Sequence, residues 1–438
     1  MKVNSLIFNN KIYKDVFSIE KTILYLAIIF CFEQGFLLRI DIGLFSLDLF
    51  RMFFLLLGSF FLIHILYNRG ELDISNVRVK KYILFLYLWF FYAMFSLIWV
   101  ASIDEAIKTI IFLFIGISIV FFEVFYFKNL RDFKQLHNML LFVLLVMIGL
   151  GFWNCTTGHH LSEYWNSFVY GWRRFVPVAV FSSENDYAEY LSFNIPFVLV
   201  FIRYRSNIIE KFLGIIILFS ALYLLVQTFS RLNYIAFIIE IGFWFFFLMK
   251  LKTKYKYIIL IILLILIIYI AFFEYVQNIF ETIVIQMKTL SFRDQSIHVR
   301  INLIRNAFSL LVKSRGFGVG AGNAVYYMRN FAIYDTQGIP YIHNWWIKVL
   351  VEYGILIFIG YIIFYLNMLF SLYKLYFTLN DTSEKMICEA VLMILVSLPV
   401  VGFDESPTMT LLIWWIYLGF ALSFLNYCKL KQKAYEYN

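Results

Sequence analysis

Apolar runs about long enough to cross ~30 Å of hydrocarbon recur along the whole chain, instead of forming one anchor beside a polar domain. They predict membrane-spanning helices near 22–38, 44–66, 82–101, 106–127, 135–154, 186–203, 212–229, 232–249, 256–273, 344–367, 386–402 and 408–427. The expected fold class is therefore an all-α polytopic membrane protein of about twelve spans. Two connections break the rhythm, residues 155–185 and, at greater length, 274–343. Long loops in compact proteins are usually functional or disordered, and this one holds a helix-like stretch and a glycine cluster, which favours function. The chain thus divides into residues 1–273 with spans one to nine, an extracytoplasmic catalytic loop at 274–343, and residues 344–438 with spans ten to twelve and a cytoplasmic tail.

Inside that loop Ile297, Ile301, Ile304, Phe308 and Leu311 recur at helical spacing and predict an amphipathic helix from about 296 to 314. Its expected polar face carries His298, Asn302, Asn306 and Lys313, with Arg300 inside the apolar arc and Arg305 at its edge. A guanidinium so placed calls for an anion. The segment Gly-Phe-Gly-Val-Gly-Ala-Gly at 316–322 could cradle phosphate with its amides, yet no strand-then-helix context surrounds it, so a flexible turn is the better expectation.

Composition closes off the soluble alternatives. Hydrophobic residues make up 62% of the 438 and charged ones 15%, against roughly 25% charged in ordinary soluble domains. Charge then orients the chain. Of the 37 basic residues, 23 fall in one alternate set of segments, including Lys80 and Lys81, Lys128 and Arg131, Arg203 and Arg205, and Lys429 and Lys431. Positive loops stay in the cytoplasm during insertion, so both termini are expected there, and the net charge of +9 reads as topology with no nucleic-acid role. The first span includes Glu33 and is followed by no small-residue cleavage site, so it is expected to be retained. The four cysteines are too scattered for a disulfide framework, and only Cys155 is expected outside.

Ionisable residues within the spans gather toward the outward half: Glu33, Asp48, Arg51, Glu189, Lys348 and Glu352, with Glu240 nearer the middle. Charge at such depth marks a cavity or an internal pair, and the spacing of Asp48 with Arg51 and of Lys348 with Glu352 lets each couple neutralise itself. Arg231, in the short outward turn after Thr228, either snorkels to headgroups or meets a ligand, and Arg173 and Arg174 pose the same choice. His343 and Asn344 end the arginine-bearing loop beside Trp345 and Trp346. An imidazole there is either structural or a base that titrates near neutrality. The sequence holds no nucleotide motif or metal-ligand spacing, so any reaction would draw on an already activated donor, and outside the membrane such donors are lipid-linked.

In order along the chain stand Ser183-Glu184-Asn185-Asp186-Tyr187-Ala188, Thr228-Phe229-Ser230-Arg231, Arg300 ahead of Gly316-Phe317-Gly318-Val319-Gly320, His343-Asn344 and Glu352-Tyr353-Gly354. This series resembles the O-antigen ligase and Wzy-type polysaccharide polymerase family of bacterial envelopes over roughly residues 40 to 425, although the Thr-to-Arg turn has one residue more than the commonest pattern. The resemblance implies metal-independent, cofactor-free transfer of an oligosaccharide from undecaprenyl diphosphate to a glycan acceptor hydroxyl on the outer face of the plasma membrane. It implies diphosphate contacts for Arg231 and Arg300 and a base in His343. Arg174, Asn185, Arg305, Asn344 and Glu352 take supporting, substrate-positioning roles. A repeat-unit polymerase for O-antigen, capsule or exopolysaccharide is preferred to a ligase that attaches finished polymer to a lipid-linked core. Besides donor, acceptor and membrane lipids, a chain-length regulator or a flippase would be natural partners. The competing class is a flippase of lipid-linked oligosaccharides, against which stand the long external loop and the lack of visible internal duplication.

Overall fold

The computed structural model describes residues 18–42, 45–67, 74–249, 295–403 and 412–436. The architecture is helical: α1 (18–31), α2 (Leu49–Tyr67), α3 (Lys80–Phe95), α4 (Ile103–Tyr126), α5 (Leu130–Thr157), α6 (Glu163–Phe168), α7 (Glu184–Tyr204), α8 (Ile208–Gln227) and α9 (Arg231–Phe243, continued by a π turn to Leu248). After residue 295 follow α10 (Gln295–Lys313), α11 (Asn323–Phe331), α12 (Trp345–Thr378), α13 (Thr382–Val401) and α14 (Ile413–Glu436). Among the described residues seven helices, α2 to α5, α8, α9 and α12, are long and apolar enough to cross a membrane. The span expected near 256–273 lies outside the described residues.

Helix α7 falls short of that apolar standard because it is the innermost element. Every residue from Asp186 to Val200 is buried. Surrounded by protein, it can carry Asn194, which donates to the Tyr417 hydroxyl at 2.6 Å, and Glu189, which accepts from the Trp414 indole. Helix α13 is tied in the same way. Ser397 donates to Glu240 of α9 at 2.5 Å, and the Glu389 carboxyl receives Arg203, Tyr204, Trp244 and Tyr376, so three other helices, α7, α9 and α12, converge on one buried group of α13. Such groups are tolerated at depth only when they satisfy one another.

Two expectations about the spans are corrected. The first helix stops at residue 31, after which Gln34 (φ 55°) and Gly35 (φ 76°) turn the chain and the Glu33 carboxylate accepts from the Leu37 amide at 2.6 Å. A short antiparallel ribbon follows, β1 (Arg39–Ile42) paired with β2 (Phe45–Asp48) in the register Arg39 to Asp48. The alternation Arg-Ile-Asp-Ile and Phe-Ser-Leu-Asp is a strand pattern that an apolar window averages away. The Asp48–Arg51 pair therefore exists, at 3.4 Å, but across a strand-to-helix junction, with Asp48 ending β2 and Arg51 in the first turn of α2. Helix α12 is also longer than expected and is broken at Gly354 (φ 76°, ψ 178°).

Candidate functional site

The break in α12 builds the site. Where a helix is interrupted, carbonyls of the preceding turn lose their partners. Here the glycine segment supplies them: Val319 N donates to Val351 O at 2.8 Å and Gly320 N to Glu352 O at 2.9 Å, while Ile355 N returns a bond to Gly316 O at 2.9 Å. The backbones approach so closely that a Cβ on Gly318 would stand 2.6 Å from Glu352 O, and one on Gly354 would stand 2.4 Å from Gly316 O. Gly316 and Gly318 also bond into the end of α10, and Ala321 N bonds Ser96 Oγ at 3.2 Å. The flexible turn expected at 316–322 is thus a packed clasp. The amides from Gly316 to Ala321 are all engaged in it and are not free for a phosphate.

Helix α10 forms where expected, but rotated. Val299, Leu303, Ala307 and Leu310 are buried against α12 and the clasp, whereas Ile301 and Phe308, expected inside, are exposed. Asn306, expected on the polar face, is buried. Its amide donates to Tyr334 O and its oxygen accepts from the Ile333 and Tyr334 amides, all at 2.9 Å. Asn302 adds a bond to Asp335 O at 2.9 Å, so two asparagines strap the segment that runs on to Pro340 and His343. Arg300 is half-buried; Arg305 is exposed, its guanidinium over the Tyr334 ring at 5.6 Å.

His343 stands at φ 49°, left-handed backbone that a side-chain-bearing residue rarely adopts. Asn344 next to it caps α12 by accepting from Ile347 N at 3.0 Å. Together with Tyr341, Lys348 and Glu352 they line a cleft of about 20 Å³ against the start of α11, room for about one water-sized group. Asn344, Lys348 and Glu352 share a face through their i, i+4 spacing. Lys348 is the residue that the sequence suggested only as a counter-ion. No Lys348–Glu352 ion pair forms within 4 Å; the carboxylate lacks a well-formed hydrogen bond and faces the Gly322 and Ala324 amides and the Lys348 ammonium.

Arg231 and Arg300 do not line this cleft. Arg231 is exposed and opens α9 after a turn in which Phe229 is left-handed (φ 57°). The Phe229 ring meets Trp172 edge-on at 5.6 Å, which seats the turn beside the segment bearing Arg173 and Arg174. Arg173 pairs with Glu184 at 2.6 Å, next to half-buried Asn185 at the Ser183-capped start of α7. The Arg174 Nε is buried without a hydrogen-bond partner, and its carbonyl lies 2.6 Å from His160 Nε2. Burial pushes the His160 pKa below its ordinary value. The two groups of residues meet through the core: Glu189, one turn below Asn185, bonds Trp414, whose ring lies 6.2 Å from that of Trp345, beside Asn344.

A bundle with at least seven membrane-length helices and a strapped segment clasped to a broken one defines a multi-pass membrane protein. Residues 214–362 match the O-antigen ligase family, a stretch that contains Arg231, Arg300, Arg305, His343, Asn344 and Glu352 but neither Arg174 nor Asn185. The chain is also 28% identical over 411 residues to the "Teichuronic acid biosynthesis protein TuaE" of Bacillus subtilis (strain 168), an alignment covering 92% of this chain and 84% of that protein. The chain is thus similar to O-antigen ligases over residues 214–362 and to a teichuronic acid biosynthesis protein over most of its length, which supports a membrane polysaccharide polymerase or ligase of envelope glycan synthesis.

Proposed function

We propose that the protein transfers an oligosaccharide from undecaprenyl diphosphate to an acceptor sugar hydroxyl on the extracytoplasmic face of the plasma membrane, as a repeat-unit polymerase. The observation that carries this reading is the cleft at the α12 break, where His343, on strained backbone, shares a wall with Lys348 and Glu352 inside the family-matched stretch. Strain of this kind persists where surrounding structure enforces it, and it clusters at reacting groups.

In the step we propose, neutral His343 takes the acceptor hydroxyl's proton, and the acceptor oxygen forms a bond to the anomeric carbon. The bond from that carbon to the diphosphate oxygen breaks, and undecaprenyl diphosphate departs with the electron pair. Arg231 and Arg300 offset the charge that grows on it, with Arg174 and Arg305 at the approaches. Asn344, which caps α12, and Asn185, in the first turn of α7, serve as positioning residues. The catalytic segment in this scheme is 274–343, between spans nine and ten, with both termini in the cytoplasm. A flippase or chain-length regulator would act beside it.

Reconstitution with one purified lipid-linked repeat unit and no other protein tests the reading. A ladder of products is expected. Single transfer onto a supplied core acceptor would make the protein a ligase, and movement of the lipid without bond formation would make it a transporter.

A further inference from the structure

A second polar cavity, of about 170 Å³, opens between the end of α1, the β1–β2 ribbon and the start of α2. At ~30 Å³ per water it has the bulk of five or six waters, about one sugar ring. Gln34, Arg39, Ser46, Asp48 and Arg51 supply its polar lining, and Phe112 of α4 forms one wall. It opens at the same end of the bundle as His343. The clasp abuts the first turns of α4, since a Cβ on Gly322 would stand 2.3 Å from Thr109 Oγ1, and Phe112 lies one turn further on. Leu412, also in its wall, runs into Trp414, which packs on Trp345.

Its chemistry is that of a saccharide subsite with an excess of positive charge. Arg51 is fixed: its Nη1 donates to the Ser46 hydroxyl at 2.7 Å, its Nε lies 3.4 Å from Asp48, and its guanidinium stands 5.5 Å from the Phe112 ring centre. The Nη2 amine makes no hydrogen bond among the described residues. Among the described residues Arg39 pairs with Asp41 at 3.0 Å, the side chains being 61% and 70% exposed, and such surface pairs hold weakly. Among the lining side chains two guanidiniums stand against the one carboxylate of Asp48, and Asp41 pairs with Arg39 from outside the lining. A ligand that displaces that weak pair finds room for one anionic group, with Ser46 and the Gln34 side-chain oxygen to meet hydroxyls.

We infer that this cavity binds one anionic pyranose unit of the glycan, apart from the cleft at His343. The inference rests on the glycan-transfer reading above for its substrate class but not on turnover for its test. Saturation-transfer NMR on the detergent-solubilised full chain would compare glucuronate, glucose and inorganic phosphate as probes. Glucuronate is expected to bind at least tenfold more tightly than either of the others. Arg51→Gln should weaken it about tenfold, and Arg51→Lys should restore little of the loss. Arg39→Gln alters a side chain that is 61% exposed, and it should weaken binding several-fold, which keeps the test decisive if Arg51→Gln misfolds. Binding should survive in Arg231→Ala and His343→Ala. Equal binding of glucose, equal binding of phosphate, or indifference to both Arg39→Gln and Arg51→Gln would each overturn the subsite. If the reconstituted protein makes no product yet glucuronate binding follows this pattern, glycan transfer fails and the subsite stands. Product without such binding leaves glycan transfer standing and removes the subsite.

Discussion

At position 343 an imidazole-bearing residue occupies left-handed backbone that glycine would adopt without penalty. Holding a side chain there costs about 1–3 kcal/mol, which the Asn306 strap upstream and the Asn344 cap downstream must sustain. Two consequences separate stability from chemistry. His343→Gly should raise the melting temperature in detergent, because the strain is relieved, while abolishing polymer or ligated product. If that variant kept near-normal product, the assignment of His343 as base would be lost. The imidazole itself was legible in the sequence from its position at the end of an arginine-bearing loop, but its backbone strain was not, because φ there depends on where α10 and α12 fix the two ends. His160 couples the stability of its loop to pH. With its pKa lowered by burial from the ordinary 6.5, it is neutral in the folded loop and takes up a proton more readily when the loop opens. Stability from the neutral ring is therefore complete above about pH 6.5 and is lost as pH falls below it. Hydrogen exchange of residues 158–183 should accelerate between pH 7 and pH 5.5 beyond the intrinsic rate, and His160→Gln should remove the excess.

Among the elements, α10 and the glycine clasp show what periodicity can and cannot resolve. The sequence predicts α10 to within a residue or so at each end, because its apolar positions recur at 3.6-residue spacing. It carries two overlapping apolar stripes, however, and the choice between Ile301–Phe308 and Val299–Leu303–Ala307–Leu310 falls to the partner surface. The winning stripe brings Asn306 inward, where its amide meets the Ile333 and Tyr334 backbone; a pattern that treats asparagine as polar places it outside. The clasp has the same origin: glycines at 316, 318, 320 and 322 signal close approach, but only the break at Gly354 shows what approaches. Gly354→Ala would put a methyl 2.4 Å from Gly316 O at φ 76°, a cost of about 2–4 kcal/mol from strain and overlap together. Thermal unfolding in detergent should show that loss, with product formation falling alongside. Gly242→Ala, where nothing lies within 4 Å, should change neither.

Over the whole molecule, the described helices sort into two ends. At one, basic residues tie elements together: Lys21 to Asp132 at 2.9 Å, Arg203 to Glu389 at 3.0 Å, and Lys431 to Glu384 at 2.6 Å. At the other lie the clasp, the His343 cleft and the cavity beside Arg51. Basic residues retained in the cytoplasm would orient the second end outward, where a lipid-linked donor presents its glycan. This arrangement is open to direct measurement with single cysteines at exposed positions in a background lacking the four native ones. Ser167→Cys lies on the segment beside Arg173 and Arg174, and Ser206→Cys lies between Arg205 and Asn207 at the basic end. In intact cells a membrane-impermeant maleimide should label the first and reach the second only after permeabilisation. The reverse pattern would turn His343 and both candidate arginines toward the cytoplasm. It would leave every helix contact described above intact and remove glycan transfer on the outer face, because orientation depends on the basic residues and packing does not.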